Sequence, residues 1–88
     1  MNYYFFTLPN CPRCEELKKS LKENGLQGEE YNLVKPDGKQ KLRTYIKHIK
    51  RDDKGAVIIP TLLMVDGENV EKVINSPGEL ENWLKSKD

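Results

Sequence analysis

Long apolar runs are missing from this chain of 88 residues. At the N-terminus the apolar run Tyr3 to Leu8 covers six positions, and no run in the chain approaches the roughly 18 that a membrane-spanning helix needs. The same stretch has no basic lead and no small-residue cleavage site, so it does not read as a secretory signal. These absences give the expectation of a cytoplasmic protein with no membrane contact. Histidine occurs once, as His48, and cysteine twice, as Cys11 and Cys14. A closed structural zinc site takes four ligands, which one chain with this inventory does not supply; His48 reads as a surface residue. An excess of one charge is also lacking: the net charge is +1, which excludes nucleic-acid binding by bulk electrostatics.

What is present suits a globular domain. Hydrophobic residues make up 36% and charged residues 33%, and the length fits a single domain over residues 1–88. The charge is unevenly placed. Residues 35–54 carry eight Lys and Arg against three acids, which leaves seven bases against eleven acids elsewhere. That segment is either a solvated helix face or a docking patch for an acidic partner protein.

The aromatic run "YYFFTL" predicts a buried strand, broken by Pro9 and Asn10. From Pro12 the pattern turns helical, with Cys14, Leu17 and Leu21 on one face and Asn24-Gly25 as the stop. Glu29 to Val34 predicts a second strand. Asp37 is then placed to cap a helix, with Gln40 completing a capping box and Leu42, Tyr45, Ile46 and Ile49 forming its apolar stripe. Two further strands, Val57 to Val65 and Val70 to Ile74, are joined by the turn Asp66-Gly67. In the last helix Ser76 caps, Pro77 takes the first position, Glu79 completes a capping box, and Leu80, Trp83 and Leu84 face inward. The order β-α-β-α-β-β-α implies an α/β fold: a four-stranded mixed sheet flanked by three helices.

The two cysteines stand in "NCPRCEE", where strand gives way to helix. Unpaired N–H groups and the helix dipole at that junction favour negative charge, so they raise the thiolate fraction of Cys11, and the thiolate is the nucleophile. Cys14, one turn on, is placed to attack a mixed disulfide formed on Cys11. Pro12 suits the first helical turn. Arg13 either adds a cation beside the thiolate or is an ordinary exposed residue. A permanent staple is disfavoured because the loop it closes is too short to restrict the unfolded chain much. Zinc or an iron–sulfur cluster shared between two chains stays open as an alternative, with the protein an adaptor rather than an enzyme.

Pro60 interrupts "VIIPTLL", an interior-strand pattern in which proline deletes a ladder hydrogen bond. A cis Ile59-Pro60 bond at a turn into the strand reconciles the two. The backbone of Ile59 is then open to pair with an extended substrate. An ordinary trans proline at the strand's first residue is the other reading.

With these residues in hand the sequence resembles the thioredoxin superfamily and, by layout, the glutaredoxins. "CPRC" stands at the family's C-P-x-C site, close to the N-terminus as in glutaredoxins, and Ile59-Pro60 aligns with its cis-proline pair. The resemblance implies the thioredoxin fold and a thiol-disulfide oxidoreductase that reduces protein disulfides. By that resemblance Cys11 would attack, Cys14 resolve and Pro60 shape the groove beside them. Pro12 and Arg13 as supporting residues and Ile59 as a substrate-binding one come from the reading of the residues above, Arg13 standing where the family commonly has a tyrosine. Two departures bear on the reductant. Leu8 stands where glutaredoxins carry a glutathione-binding lysine, and Asn75-Ser76-Pro77-Gly78 replaces their Gly-Gly-x-Asp segment. Ser76 and the helix start behind it remain placed to receive a carboxylate. The expectation is a monomer with no tightly bound cofactor, recharged by a thioredoxin-reductase-type flavoenzyme or by glutathione.

Overall fold

A computed structural model describes residues 2–67 and 69–86. The chain runs β1 (Asn2–Thr7), α1 (Pro12–Glu23), β2 (Glu29–Asn32), α2 (Pro36–Thr44), a 3-10 turn (Ile46–His48), β3 (Thr61–Asp66), β4 (Asn69–Ile74) and α3 (Pro77–Ser86). The strands form one sheet in the order β2-β1-β3-β4. β1 and β2 are parallel, while β1–β3 and β3–β4 are antiparallel.

Alternation along the two central strands divides the core. Phe5, Leu62 and Met64 point to one face, where they meet Cys14, Leu17 and Leu21 of α1 and Leu80 of α3. Phe6, Leu63 and Val65 point to the other, where Leu42 and Tyr45 cover them. A register shift between Met64 and Val65 lets Val70 and Val73, three residues apart, share that second face. The result is helices on both faces, with α1 and α3 on one side and α2 on the other.

The boundaries differ from expectation in four places, each for a local reason. β2 stops at Asn32 because its side-chain Oδ1 accepts the N–H of Val34 and turns the chain. α2 is capped at Lys35 without a side-chain bond, and Asp37 lies in its first turn rather than at the cap. Pro36 is the cause: its fixed φ and missing N–H suit the first helical position and move the start back. The apolar stripe outruns the helix, since α2 ends at Thr44 and the 3-10 turn leaves Ile46 exposed while Ile49 is buried. β3 begins at Thr61, not Val57, because Pro60 offers no donor; only an isolated bridge from Val57 to Arg51 remains upstream.

Candidate dithiol site

The sheet register brings four segments to one end of the molecule. Phe6 of β1 pairs with Thr61 of β3, so the loop leaving β1 and the loop entering β3 lie side by side. Leu62 pairs with Ile74, which places the end of β4 and the start of α3 there too. Cys11 sits five residues beyond Phe6, and Pro60 and Asn75 each one residue beyond Thr61 and Ile74.

Between β1 and α1 the chain turns at Asn10, whose φ is 56°. This left-handed conformation is one that Asn tolerates better than most residues, because its short polar side chain bonds locally. The turn delivers Cys11 to the N-cap of α1 with Pro12 in the first turn. Cys11 Sγ then accepts the backbone N–H of Cys14 at 3.2 Å, the bond a Ser or Asp oxygen makes at other helix starts. The two cysteines are joined as a disulfide with a Cα–Cα separation of 5.2 Å, inside the usual range for such a bridge. Cys14 is 4% exposed whereas Cys11 is only half-buried. Cys14 thus belongs to the core, while Cys11 packs against its edge and is partly open to solvent. Arg13 is exposed, and among the described residues no hydrogen bond or ion pair ties it to Cys11.

The Ile59-Pro60 peptide bond is cis, as the strand-interrupting proline suggested. Pro60 is buried, and Ile59 and Cys11 pack against the same core cluster. Ser76 caps α3 by accepting the N–H of Glu79 at 3.2 Å. Glu79 Oε2 returns to the N–H of Asn75 at 2.7 Å, one residue before the expected capping-box target.

Behind Cys14 lies a cavity of about 130 Å³ lined in part by Thr7, Lys18, Glu30 and Asn32. Both oxygens of Glu30 are engaged there: Oε1 lies 3.2 Å from Lys18 Nζ, and Oε2 accepts Thr7 Oγ1 at 3.3 Å. The hydrogen bond from Lys18 to Glu30, followed by their charge attraction, raises the ammonium's pKa above its ordinary value. Half-exposed as it is, this pair links α1 to β2 at small energetic benefit. Among the described residues no group of three or more His, Cys, Asp and Glu is placed to hold a metal ion. Among the described residues no helix is long and apolar enough to cross a membrane.

Two features escaped sequence reasoning. The side chain of Asn75 reaches across to the cis-proline loop, and an asparagine between a strand and a capped helix carries no pattern that announces such a bond. Leu8 and Val34 are 41% and 56% exposed. They flank the site on adjacent loops, since the N–H of Leu33 bonds Thr7 O at 2.9 Å. In the sequence Leu8 reads as the end of the buried strand and as an absent lysine, whereas β1 ends at Thr7 and leaves it exposed.

No protein-family model matches the sequence, and no curated protein matches it. Solved structures do. The thioredoxin-like protein BC3987 shares 24% identity, with 94% of this chain and 96% of that one covered and a TM-score of 0.60. NrdH-redoxin from Escherichia coli, a glutaredoxin-like protein, shares 15% identity over 93% of each chain at a TM-score of 0.61. Thioredoxin 1 from Thermosipho africanus shares 13% identity, with 99% of this chain and 98% of that one covered at 0.61. In element order, sheet order and superposition over nearly its whole length, this chain has the thioredoxin fold, as thioredoxin-like and glutaredoxin-like proteins do.

Proposed function

We propose that the chain is a dithiol-disulfide oxidoreductase that reduces protein disulfides. The observation that carries this reading is the placement of the Cys11 sulfur. It is an N-cap acceptor at the start of α1, half-exposed, and bonded to a second sulfur that is buried one turn below. In the reduced protein the thiolate of Cys11 attacks one sulfur of a substrate disulfide. A Cys11–substrate S–S bond forms, the substrate S–S bond breaks, and the departing thiolate takes up a proton. Cys14, losing its own proton, attacks Cys11 Sγ, forms the intramolecular disulfide and releases the second substrate thiolate. Two electrons pass from the protein to the substrate. A two-electron reductant then restores the dithiol.

Pro12 orients the first helical turn, and the cis Ile59-Pro60 bond shapes the wall against which a substrate lies. The reductant we propose is a thioredoxin-reductase-type flavoenzyme, with glutathione as the alternative. The absent lysine at Leu8 and the absent Gly-Gly-x-Asp segment support that order. Escherichia coli NrdH-redoxin likewise joins a glutaredoxin-like chain to a thioredoxin-like activity profile.

Turnover of insulin disulfides is the test, with either a flavoprotein thioredoxin reductase or glutathione plus its reductase as electron source. Wild type is expected to turn over with the first, and Cys11→Ser to lose all activity. Turnover with glutathione alone would reverse the choice of reductant. An active Cys11→Ser variant would overturn the assignment of roles. Purified protein carrying zinc or an iron–sulfur cluster on Cys11 and Cys14 would replace this reading with that of a metal-binding adaptor.

A further inference from the structure

Asn75 lies between β4 and α3, and its backbone is fixed from the helix side by the bond from its N–H to Glu79 Oε2. Its side chain points the other way, into the loop that precedes β3. Nδ2 lies 2.9 Å from Pro60 O, 3.4 Å from Ile58 O and 3.4 Å from Thr61 Oγ1. Two of these neighbours are carbonyls, which only accept, so the nitrogen and not the oxygen of the amide belongs there. An amide nitrogen has two protons. One serves the short bond to Pro60 O, and the other is divided between Ile58 O and Thr61 Oγ1. Thr61 Oγ1 in turn donates to Ile58 O at 2.5 Å.

The carbonyls on both sides of Ile59 are therefore held by the protein's own donors. Ile59 itself is treated differently. Among the described residues no hydrogen bond engages its backbone N–H or C=O, although the ladder of β3 begins only two residues later. The loop is clamped at 58 and 60 and left unpaired at 59.

We propose that Asn75 is a positioning residue that holds the cis-proline loop so that the backbone of Ile59 pairs with an extended stretch of substrate chain. The inference rests on the redox reading above and adds to it the residue that favours disulfides flanked by polypeptide over small ones. A small disulfide has no such backbone to pair and gains nothing from the clamp. Asn75 acts through the loop and not on the reacting sulfurs.

The experiment compares insulin disulfides with a small aromatic disulfide in wild type, Asn75→Asp and Asn75→Ala. Asp is nearly isosteric but replaces the donated protons with an anionic oxygen facing two carbonyls, and Ala removes the donor without adding charge. For Asn75→Asp the value of kcat/KM on insulin is expected to fall about tenfold, mainly through KM, as loss of one backbone pairing implies. Asn75→Ala is expected to fall less, in the same direction. On the small disulfide both variants stay within about twofold of wild type, and the redox midpoint is unchanged, since the clamp does not touch the dithiol. Equal losses on both substrates, or unimpaired insulin reduction, would overturn the inference while leaving the redox reading intact. A wild-type protein inactive on both substrates would instead contradict the redox reading and this inference with it.

Discussion

Single side chains decide how two surfaces of this molecule are held. Tyr31 shows how a residue-level effect becomes a dependence on pH. Its O–H donates to the carboxylate of Glu29, and this bond, then partial burial, pushes its phenol up to about 12 from an ordinary 10. The folded state thus keeps the proton that the unfolded chain loses near pH 10. Stability contributed by the bond is complete below pH 10 and is lost as pH rises from 10 to 12. In an alkaline titration followed by phenolate absorbance, Tyr31→Phe is expected to remove a phenol that ionises near 12. A variant that instead loses a step near 10 would show that the bond does not form in solution. Asn10 acts at the same scale. Its left-handed φ aims the chain into α1, a role that the sequence disclosed only as a break after an aromatic strand.

At the level of elements, α2 is the one whose placement is most exposed to a small change. Gly38 is buried against β2, and a Cβ at that position would lie 2.2 Å from Asn32 O. Replacing Gly by Ala inside a helix ordinarily gains about 1 kcal/mol. Here the obstacle is backbone, which cannot swing aside as a side chain does, and overpacking of this kind costs about 1–3 kcal/mol. The steric cost wins. Gly38→Ala is expected to lower the denaturant midpoint, and a rise would show that α2 can slide away from β2 freely. The same face of the helix is held one turn further on. Lys41 Nζ lies 4.2 Å from the ring centroid of Tyr4 and 5.7 Å from those of Tyr31 and Tyr45, so one cation joins α2 to both β1 and β2.

Elements were the level at which the sequence was most informative. The strands and helices followed from period, the stops from Gly25, Gly67 and the prolines, and the cis bond from a proline inside a strand pattern. Misplaced boundaries all involve competition that a pattern does not weigh. Asp37 and Pro36 both suit a helix start, and the proline's rigidity prevailed. Apolar spacing continued through Ile49 after the helical hydrogen bonds had ended at Thr44. Of the site, Cys11, Cys14 and Pro60 were legible because their chemistry is unusual for where they stand. The Asn75 clamp was not, since it joins residues 15 apart in sequence through one amide. The contrast in burial between the two cysteines was legible, because Cys14 shares the apolar face of α1 with Leu17 and Leu21 while Cys11 stands at the helix start.

For the molecule as a whole, topology does most of the functional preparation. One end of the sheet gathers the start of α1, the cis-proline loop and the capped start of α3, while the cores on both faces hold those ends in register. Charge is sorted on the same scale. The ion pairs Lys18–Glu30 and Lys19–Glu23 lie along α1, whereas the basic segment from Lys35 to Lys54 follows α2 and the chain beyond it. The Cys11–Cys14 pair stands at the end of the sheet where those segments meet. In the function proposed above, Cys11, and not Cys14, meets the substrate. Mass spectrometry of the reduced Cys14→Ser variant mixed with a disulfide-containing protein tests this directly. The account predicts a stable adduct, linked through Cys11 and released by dithiothreitol; an unmodified variant would contradict it.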